Sequence, residues 1–565
     1  MVLRRPVAAP LSLPDLRAPR ISGAALKNLA RFARTRVGAQ ALQRILRADL
    51  EIDRLRDVRD GLYGDVPLDT RPHPGRPPRE MPSANLGPPP SPWSPSAAAF
   101  AEAYRSGRTT PREVAERALA EARRLSALSP TVGPICEYAT AAALAEADAA
   151  TARWRAGRAL GPLDGVPWAV KEEVAVRGLA RRGGTAYLDA RPQPEDCSAV
   201  ARLRAAGAIT LGTTPMTELG MTPTGANAKR SMPRNPHATD RIAGGSSTGS
   251  GVAVATGLVP FALGADGGGS IRIPAALSGV FGIKPTWGRV SRSGSLAGGT
   301  VMHLGPLASN VYDLALTLET MSGHDGADPQ TFAAPGRTPG SFTAAVGRGV
   351  RGLVVGVPES EWSDASEPVQ RAGRAALAAL EKEGARLVPL SLELGTLAHA
   401  IGMVVIACEA RAALRTEWRD HRDEMSDDLQ VTFASLDTFD AMEYLETLRL
   451  RSGLRRELAR AFGSVDLLAL PTTSDVAAKV TDAEMSGGFL DTKLLEGLVR
   501  FAFLANLTGL PALSAPVGCD ALGLPIGLQL VGDAWDEATV LAAAAHLERI
   551  GAAFARRPRV TASVL

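Results

Sequence analysis

Two glycine-rich loops near the middle of the chain each present a serine that could attack a carbonyl group. The first loop reads Ala-Gly-Gly-Ser-Ser-Thr-Gly-Ser-Gly over residues 243–251, and the second reads Gly-Ala-Asp-Gly-Gly-Gly-Ser-Ile-Arg over residues 264–272. Glycine allows the backbone to approach a ligand closely and to take positive φ, so consecutive amides can converge on one oxygen atom. The pattern favours acyl transfer, with Ser270 of the second loop as the nucleophile.

The amides beside this serine are candidates for an oxyanion hole, because a tetrahedral intermediate needs donors where its negative charge develops. The candidate donors are the backbone N–H groups of Gly267, Gly268, Gly269 and Ser270. Geometry should limit the hole to about two or three of them. A phosphate cradle is the alternative, but neither loop reads GxxxxGK[ST] and neither combines a preceding strand with GxGxxG spacing.

Lys171 is the candidate base for this serine. No histidine lies in a recognisable nucleophile elbow, so a Ser-His-Asp triad has no support in the sequence. Lys171 ends the apolar segment 163–170, where a desolvated ammonium would lose its proton more readily than in water. Taken alone, a lysine at this position is more often a surface charge at a strand end than a catalytic base. The 7 histidines and 4 cysteines lack metal-ligand spacing, so metal-assisted hydrolysis is not indicated.

Together these segments resemble the amidase signature family. The resemblance rests on Gly-Val-Pro-Trp-Ala-Val-Lys ending at Lys171, followed by Gly-Gly-Ser-Ser and Gly-Gly-Gly-Ser-Ile-Arg-Ile-Pro. Matching text runs from about residue 97 to residue 555, and it includes Asn-Leu-Thr-Gly-Leu-Pro-Ala and Gly-Leu-Pro-Ile-Gly-Leu-Gln-Leu. The sequence departs from the family pattern at Thr248, where glycine is usual, and at Ala265, where threonine is common.

The resemblance implies a role for each of these residues. Lys171 would be the base, Ser246 would lie on a cis peptide bond and relay the proton, and Ser270 would form the acyl-enzyme. The side chains that would position the loops are Ser247, Asp266 and Arg272. No cofactor is expected, because the chain itself supplies nucleophile, base and oxyanion donors.

The remaining sequence predicts an α/β fold around this machinery. Short apolar runs at 208–212, 354–357 and 467–470 alternate with Ala-rich helical segments, which predicts a mixed, twisted sheet covered by helices on both faces. Residues 96–565 form the expected catalytic domain. A helix should follow Thr-Thr-Pro at 109–111, because cap residues and a first-turn proline begin helices.

Residues 1–95 read as an N-terminal extension. Apolar and basic positions alternate at helical spacing over about 22–60, as in Leu26, Leu29 and Phe32 beside Lys27 and Arg31, which predicts one or two amphipathic helices. The stretch 67–95 is rich in proline and reads as a linker. Such helices can pack on their own protein or contact a lipid headgroup region.

Composition limits the other classes of function. The 565 residues are 45% hydrophobic, and 63 Lys+Arg nearly balance 59 Asp+Glu, so the protein is expected to fold into a large core and not to bind nucleic acid. No stretch approaches about eighteen uninterrupted apolar residues, and no signal sequence begins the chain. We therefore expect a cytoplasmic protein, and peripheral membrane contact of the N-terminal helices stays an open alternative to their packing on the core.

Within the family, the resemblance is to plant-type fatty acid amide hydrolases. It extends through residues 103–111, 298–301 and 532–541 and implies a small, lipid-like amide substrate such as an N-acylethanolamine. Met216, Met221, Met232 and 501–504 could line an acyl channel or be ordinary core. Two alternatives stay open: an amidase for short or aryl amides, esters or carbamates, and an amidotransferase A-like subunit of a complex. A homodimer is an expectation from the resemblance alone.

Overall fold

A computed structural model describes residues 20–64, 93–296, 298–336 and 340–565 of the chain. Several of its strands form from the short, buried apolar runs that the sequence marks out, including 354–357 and 467–470. The strands are β1 (Ile21–Ser22), β2 (Glu137–Tyr138), β3 (Pro167–Lys171), β4 (Ile209–Thr214), β5 (Phe261–Asp266), β6 (Phe281–Lys284), β7 (His303–Ala308), β8 (Val354–Pro358), β9 (Arg386–Leu390), β10 (Leu467–Pro471), β11 (Phe489–Leu490), β12 (Ala512–Cys519) and β13 (Pro525–Gly532).

Eleven of these strands make one mixed sheet in the order β2-β4-β3-β5-β7-β6-β12-β13-β10-β8-β9. Pairing is parallel between β3 and its neighbours β4 and β5, and between β8 and its neighbours β10 and β9. The pairs from β5 through β7, β6, β12 and β13 to β10 are antiparallel. The mixed α/β sheet that the sequence predicts is confirmed.

Helices cover this sheet, and their ends follow the expected capping chemistry. Thr110 and Glu113 form a reciprocal capping box around Pro111, which fixes the start of the fourth helix. The helices are α1 (Gly23–Ala33), α2 (Arg36–Asp49), α3 (Ala97–Arg105), α4 (Pro111–Ser126), α5 (Thr140–Arg155), α6 (Ser198–Ala205), α7 (Thr248–Ala255), α8 (Arg272–Ser278), α9 (Val311–Met321), α10 (Ser341–Ala345), α11 (Glu359–Ser363), α12 (Glu367–Lys382), α13 (Ala398–Ala413), α14 (Arg415–His421), α15 (Asp427–Leu436), α16 (Ala441–Phe462), α17 (Asp482–Gly487), α18 (Thr492–Val499), α19 (Phe503–Thr508) and α20 (Glu537–Arg549).

The two N-terminal helices pack on the body of the protein. Helix α1 contacts α15, helix α2 contacts α15 and α18, and β1 pairs with β11 as a separate two-stranded sheet. Leu26 and Ala30 are buried in one apolar cluster with Trp418 and Phe433. The amphipathic helices predicted over 22–60 are therefore present. Most of the proline-rich stretch 67–95 lies outside the described residues, and the domain boundary near residue 95 stays a prediction.

The segment Gly395–Ala413, which contains α13, is long and apolar enough to cross a membrane by length and composition. More than half of it is buried inside the protein, and α13 packs against α16 and α19. A core helix has the same composition, because a helix surrounded by protein is apolar on most of its faces. We interpret Gly395–Ala413 as such a core helix.

Candidate active site

The candidate catalytic residues meet at the carboxyl ends of two adjacent strands. Lys171 is the last residue of β3, and the neighbouring parallel strand β5 ends at Asp266, just before the second glycine-rich loop. Ser246 lies in the loop that leads into α7, and Ser270 lies in the loop that leads into α8. The amide of Ser247 donates to the carbonyl oxygen of Ser270, 3.2 Å away. The sheet thus brings together three side chains that are distant in sequence.

The side chain of Lys171 is buried and points at the first loop. Its Nζ donates to Ser246 Oγ at 2.8 Å and to the carbonyl oxygen of Ala265 at 3.3 Å. Burial lowers the pKa of Lys171, and the nearby carboxylates of Glu173 and Asp266 act in the opposite direction. The lowered pKa makes the neutral amine easier to form, and a neutral amine can accept a hydroxyl proton.

Ser246 is held between the lysine and the nucleophile loop. The Gly245–Ser246 peptide bond is cis, as the family resemblance implies. Glycine is required opposite it at Gly220, where φ is +72° and an added Cβ would lie 3.4 Å from Ser246 Oγ. Ser246 and Ser270 line the same small cavity, so the two hydroxyls face a common space in which a proton could pass between them.

The amides of the second loop divide into two groups. Gly269 has φ of +114°, and its N–H donates to Asp266 Oδ1 at 2.7 Å. Among the residues that the structure describes, none accepts a hydrogen bond from the amides of Gly267, Gly268 or Ser270. An oxyanion placed beside Ser270 would therefore use these amides, while Gly269 acts through the carboxylate that holds the loop.

Asp266 and Arg272 form a buried ion pair beneath this loop. Arg272 donates to both oxygens of Asp266, at 3.0 Å in each case, and Asp266 also accepts from the amide of Ile271. Burial alone would raise the pKa of Asp266, but Arg272 and Asn506 outweigh it and hold the pKa well below its ordinary value. With Gln529 accepting from the guanidinium, the pair is satisfied on every side and fixes the loop.

Ser247 holds the two loops together from the other side. Its hydroxyl donates to the carbonyl oxygen of Ala265 at 3.1 Å and accepts from the Ala265 amide at 3.2 Å. The hydrogen bonds need only the backbone of residue 265, so the departure from threonine there removes none of them. The adjacent departure, Thr248, is the first residue of α7 and is fully buried. Neither of these departures from the family pattern replaces a serine of the two loops.

Two cavities of very different size open on Ser270. The larger one has a volume of about 500 Å³ and extends from Ser270 to the N-terminal helices. Its apolar lining includes Leu29, Leu42, Leu46, Met221, Ile406 and Phe503. The smaller one, of about 60 Å³, is lined by Ser246 and Glu173 as well as Ser270. Of the channel candidates from the sequence, Met221 and Phe503 line the large cavity, whereas Met216 and Met232 are buried core.

Several residues around the site escaped the sequence analysis. Glu173, two positions after Lys171, places its Oε1 3.5 Å from Nζ. Glu173 lies in the turn that follows β3, so no strand periodicity in the sequence marked this contact. Asn506 and Gln529 meet Arg272 from 234 and 257 residues away. No local pattern marks those contacts.

Comparisons with known proteins identify the family of the chain. The family model described as Amidase matches residues 117–541. The A-type subunit of the glutamyl-tRNA(Gln) amidotransferase from Chloroflexus aggregans is 36% identical over 66% of this chain and 81% of its own. A fatty acid amide hydrolase from Arabidopsis thaliana is 34% identical over 82% of this chain and 78% of its own.

Solved structures give the same result. A bacterial aryl acylamidase of the amidase signature family superposes with a TM-score of 0.71 and 28% sequence identity, covering 80% of this chain and 96% of the other. The chain belongs to the amidase signature family and is an enzyme that hydrolyses amides.

Proposed function

We propose that the chain hydrolyses N-acyl amides with long apolar acyl groups, N-acylethanolamines being the substrate class, through an acyl-enzyme on Ser270. The observation that carries this proposal is the apolar cavity of about 500 Å³ that begins at Ser270. Its volume lies in the range of cavities that enclose whole small molecules. Burying an alkyl chain there gains roughly 25 cal/mol for each Å² removed from water.

In the proposed reaction, Ser270 Oγ attacks the amide carbonyl and gives its proton to Ser246, which passes a proton to neutral Lys171. The oxyanion lies against the free amides of Gly267 and Gly268. The C–N bond then breaks, and the departing nitrogen takes a proton back from Lys171 through Ser246. A water molecule next gives a proton to Lys171 through Ser246 and attacks the acyl carbon. The ester C–O bond breaks, Ser270 Oγ takes that proton back along the same path, and the fatty acid is released.

The two cavities suggest where each part of the substrate binds. The large apolar cavity would take the acyl chain, and the small cavity beside Ser246 would take the leaving amine. A volume of about 60 Å³ has room for a small amine and excludes a second long chain. Ser246 also lines this small cavity, which is the side on which the leaving nitrogen needs its proton.

The N-terminal helices support a further part of the proposal, that the enzyme contacts a lipid surface. They line the large cavity through Leu29, Leu42 and Ile45. On the outer side Phe32 and Val37 are 43% and 69% exposed, among the exposed basic residues Lys27, Arg31, Arg34, Arg36 and Arg44. An apolar stripe within basic residues suits the headgroup region of an anionic membrane.

The test is product release measured by mass spectrometry. Purified enzyme is given N-acylethanolamines of increasing chain length beside short and aryl amides, with Ser270→Ala protein as the control for background hydrolysis. Higher kcat/KM for long acyl chains would support the proposal. Activity confined to anilides or short amides would contradict the proposal. It would favour an amidase for short or aryl amides, an alternative supported by the structural similarity to a bacterial aryl acylamidase.

An amidotransferase A-like role is tested in the same experiment, since turnover by this chain alone needs no partner. The homodimer and the cytoplasmic location stay predictions from the sequence. Light scattering during size-exclusion chromatography would test the first, and fractionation of cells would test the second.

A further inference from the structure

Glu173 is a buried carboxylate for which the mechanism so far has no use. It follows the end of β3, and its backbone carbonyl accepts from the amide of Leu296 at 2.9 Å, which fixes the turn. Its Oε1 lies 3.5 Å from Lys171 Nζ. That oxygen is buried and has no hydrogen-bond partner among the residues that the structure describes. A buried carboxylate oxygen without a hydrogen bond is costly, so it needs an explanation beyond its ion pair with Lys171.

The surroundings of Glu173 relate it to the reaction. It lines the small cavity together with Ser246 and Ser270, and its Oε2 would lie 3.8 Å from a Cβ added at Gly220. Within the described part of the chain, Lys171 is the one basic side chain at ion-pair distance from it. Glu173 therefore faces both the base and the space where the leaving nitrogen must be protonated.

The other acids near Lys171 are already engaged. Asp266 is paired with Arg272 and bonded to Asn506. Glu172 lies 3.3 Å from Arg230 and accepts from the amide of Met216. Glu173 is also the largest of the carboxylate influences that raise the pKa of Lys171 against burial. Of the three acids, it is the one that can respond to the charge on Lys171.

We propose that Glu173 is a positioning residue for Lys171: its carboxylate holds Nζ toward Ser246 and stabilises the ammonium that forms when Lys171 takes the proton. This inference rests on the proposed mechanism and deepens it. The arrangement matches the role of a carboxylate behind a general base, which orients the base and stabilises its charged form. The absence of a hydrogen bond to Oε1 is then explained, because this oxygen binds the Lys171 ammonium of the charged intermediate.

The test is the pH dependence of the rate at which a fluorophosphonate probe labels the enzyme. This probe reports activation of the serine and does not depend on the identity of the amide substrate. Labelling should fall on the acid side as Lys171 becomes protonated. In Glu173→Gln the ammonium loses its stabilising carboxylate, so this acid limb should move to lower pH by about one to three units, and the plateau rate should fall about tenfold as the base weakens.

Two further variants make the result specific. Glu173→Asp keeps the charge but withdraws it, so its acid limb should move in the same direction by less. Glu172→Gln removes the adjacent acid, which is paired elsewhere, and should leave the limb within about half a unit of the unmodified enzyme. A Glu173→Gln profile that coincides with the unmodified one would overturn the inference. If Glu173→Gln fails to fold, an unshifted limb in Glu173→Asp overturns it equally.

A Ser270→Ala control separates this inference from the mechanism beneath it. That variant should not be labelled at any pH. Labelling of Ser270→Ala at the normal rate would refute Ser270 as the nucleophile, whatever Glu173 does. Loss of labelling in Ser270→Ala, combined with an unshifted Glu173→Gln profile, would leave the nucleophile in place and refute the role of Glu173 alone.

Discussion

The catalytic centre and the N-terminal helices use charge in opposite ways. In the centre, Asp266 and Arg272 are completely buried and each is satisfied by further partners. On the N-terminal helices Arg47 is buried, but the pair between Arg34 and Asp423 lies at the surface, with side chains 43% and 80% exposed. A buried pair is strongly destabilising to break, whereas an exposed pair contributes little. The difference predicts a rigid catalytic centre. It also predicts that the N-terminal helices α1 and α2, which we call the cover, tolerate substitution and act in substrate selectivity.

Where the two regions join, the charges are buried but only partly satisfied. Glu51, which follows α2, lies 3.5 Å from His399, and Glu496 of α18 lies 3.9 Å from the same ring. Arg500 is close to His399 and to Glu361. In the part of the chain that the structure describes, one carboxylate oxygen on each of Glu51, Glu361 and Glu496 has no hydrogen-bond partner. This junction should respond to pH more strongly than either of the regions that it connects.

The largest effect is expected from removing the nucleophile. Ser270→Ala should lower kcat/KM by roughly four orders of magnitude or more, because no other group can form the acyl-enzyme. Ser246→Ala and Lys171→Ala should each cost about two to four orders of magnitude, since they remove proton transfer and leave the nucleophile. Single-turnover measurements on a long-chain N-acylethanolamine would check the order. Near-normal turnover in Ser270→Ala would show that the centre is elsewhere.

The next largest effect concerns the stability of the centre. Asp266→Asn leaves the buried guanidinium of Arg272 without its counter-charge and should cost about 3–5 kcal/mol in the free energy of unfolding, measured by urea denaturation. The matched control is Glu359→Gln, which breaks an exposed pair with Arg374 and should cost less than about 1 kcal/mol. Equal losses in the two variants would remove the contrast between buried and exposed charge.

The sequence contained most of the centre but little of what surrounds it. Lys171 and Ser270 lie at strand ends marked by short apolar runs and glycine loops, which are local patterns. The hydrogen bond from Gly269 to Asp266 was not foreseen, because several neighbouring glycine amides fit an oxyanion hole equally well in sequence. Only folded geometry distinguishes a donor used inside the loop from one that faces a substrate.

The cover shows a different limit of what can be predicted from sequence. Spacing predicted amphipathic helices over 22–60, and α1 and α2 are there. Spacing cannot tell which apolar face packs on protein and which lines a cavity, since both faces carry leucine. Leu26 is fully buried in a core cluster, whereas Leu46 lines the large cavity. That distinction depends on α15 and α18, which come hundreds of residues later.

The pH dependence of the free energy of unfolding tests whether the junction is more sensitive to pH than the catalytic centre. Burial raises the pKa of Glu496 from 4.5 to about 7. The folded state thus holds a proton that the unfolded chain loses, so stability falls as pH rises from about 4.5 to 7. Glu496→Gln removes this contribution, and its stability relative to the unmodified enzyme should improve by about 1–3 kcal/mol between pH 4.5 and 8.

Urea denaturation at both pH values measures this difference. Ala120→Ser on the exposed side of α4 is the control: it changes no ionisable group, so its offset from the unmodified enzyme should be the same at each pH. If the offset of Glu496→Gln is also independent of pH, Glu496 titrates normally and the junction is no more sensitive than the surface.

A smaller effect on kcat/KM should show whether the large cavity selects the acyl chain independently of the catalytic step. Leu46→Trp narrows the large cavity from the side of α2 and should reduce kcat/KM about tenfold for long acyl chains, while short amides keep their rate. Ala48→Trp introduces the same side chain on an exposed position of α2 and should change neither. Equal losses for long and short substrates in Leu46→Trp would mean that the cover supports the centre and does not select the acyl chain.

The smallest effect is expected on the outer face of the cover. Phe32 and Val37 are exposed among basic residues, so the double variant Phe32→Ser, Val37→Ser should weaken binding to vesicles containing anionic lipid by about tenfold or less. Hydrolysis of a soluble short amide should be unchanged, because neither side chain lines the cavity. Co-sedimentation with anionic and neutral vesicles measures the first effect. Unaltered vesicle binding would assign the outer face no part in lipid contact, whereas loss of short-amide hydrolysis would mean that cover and centre are not separable.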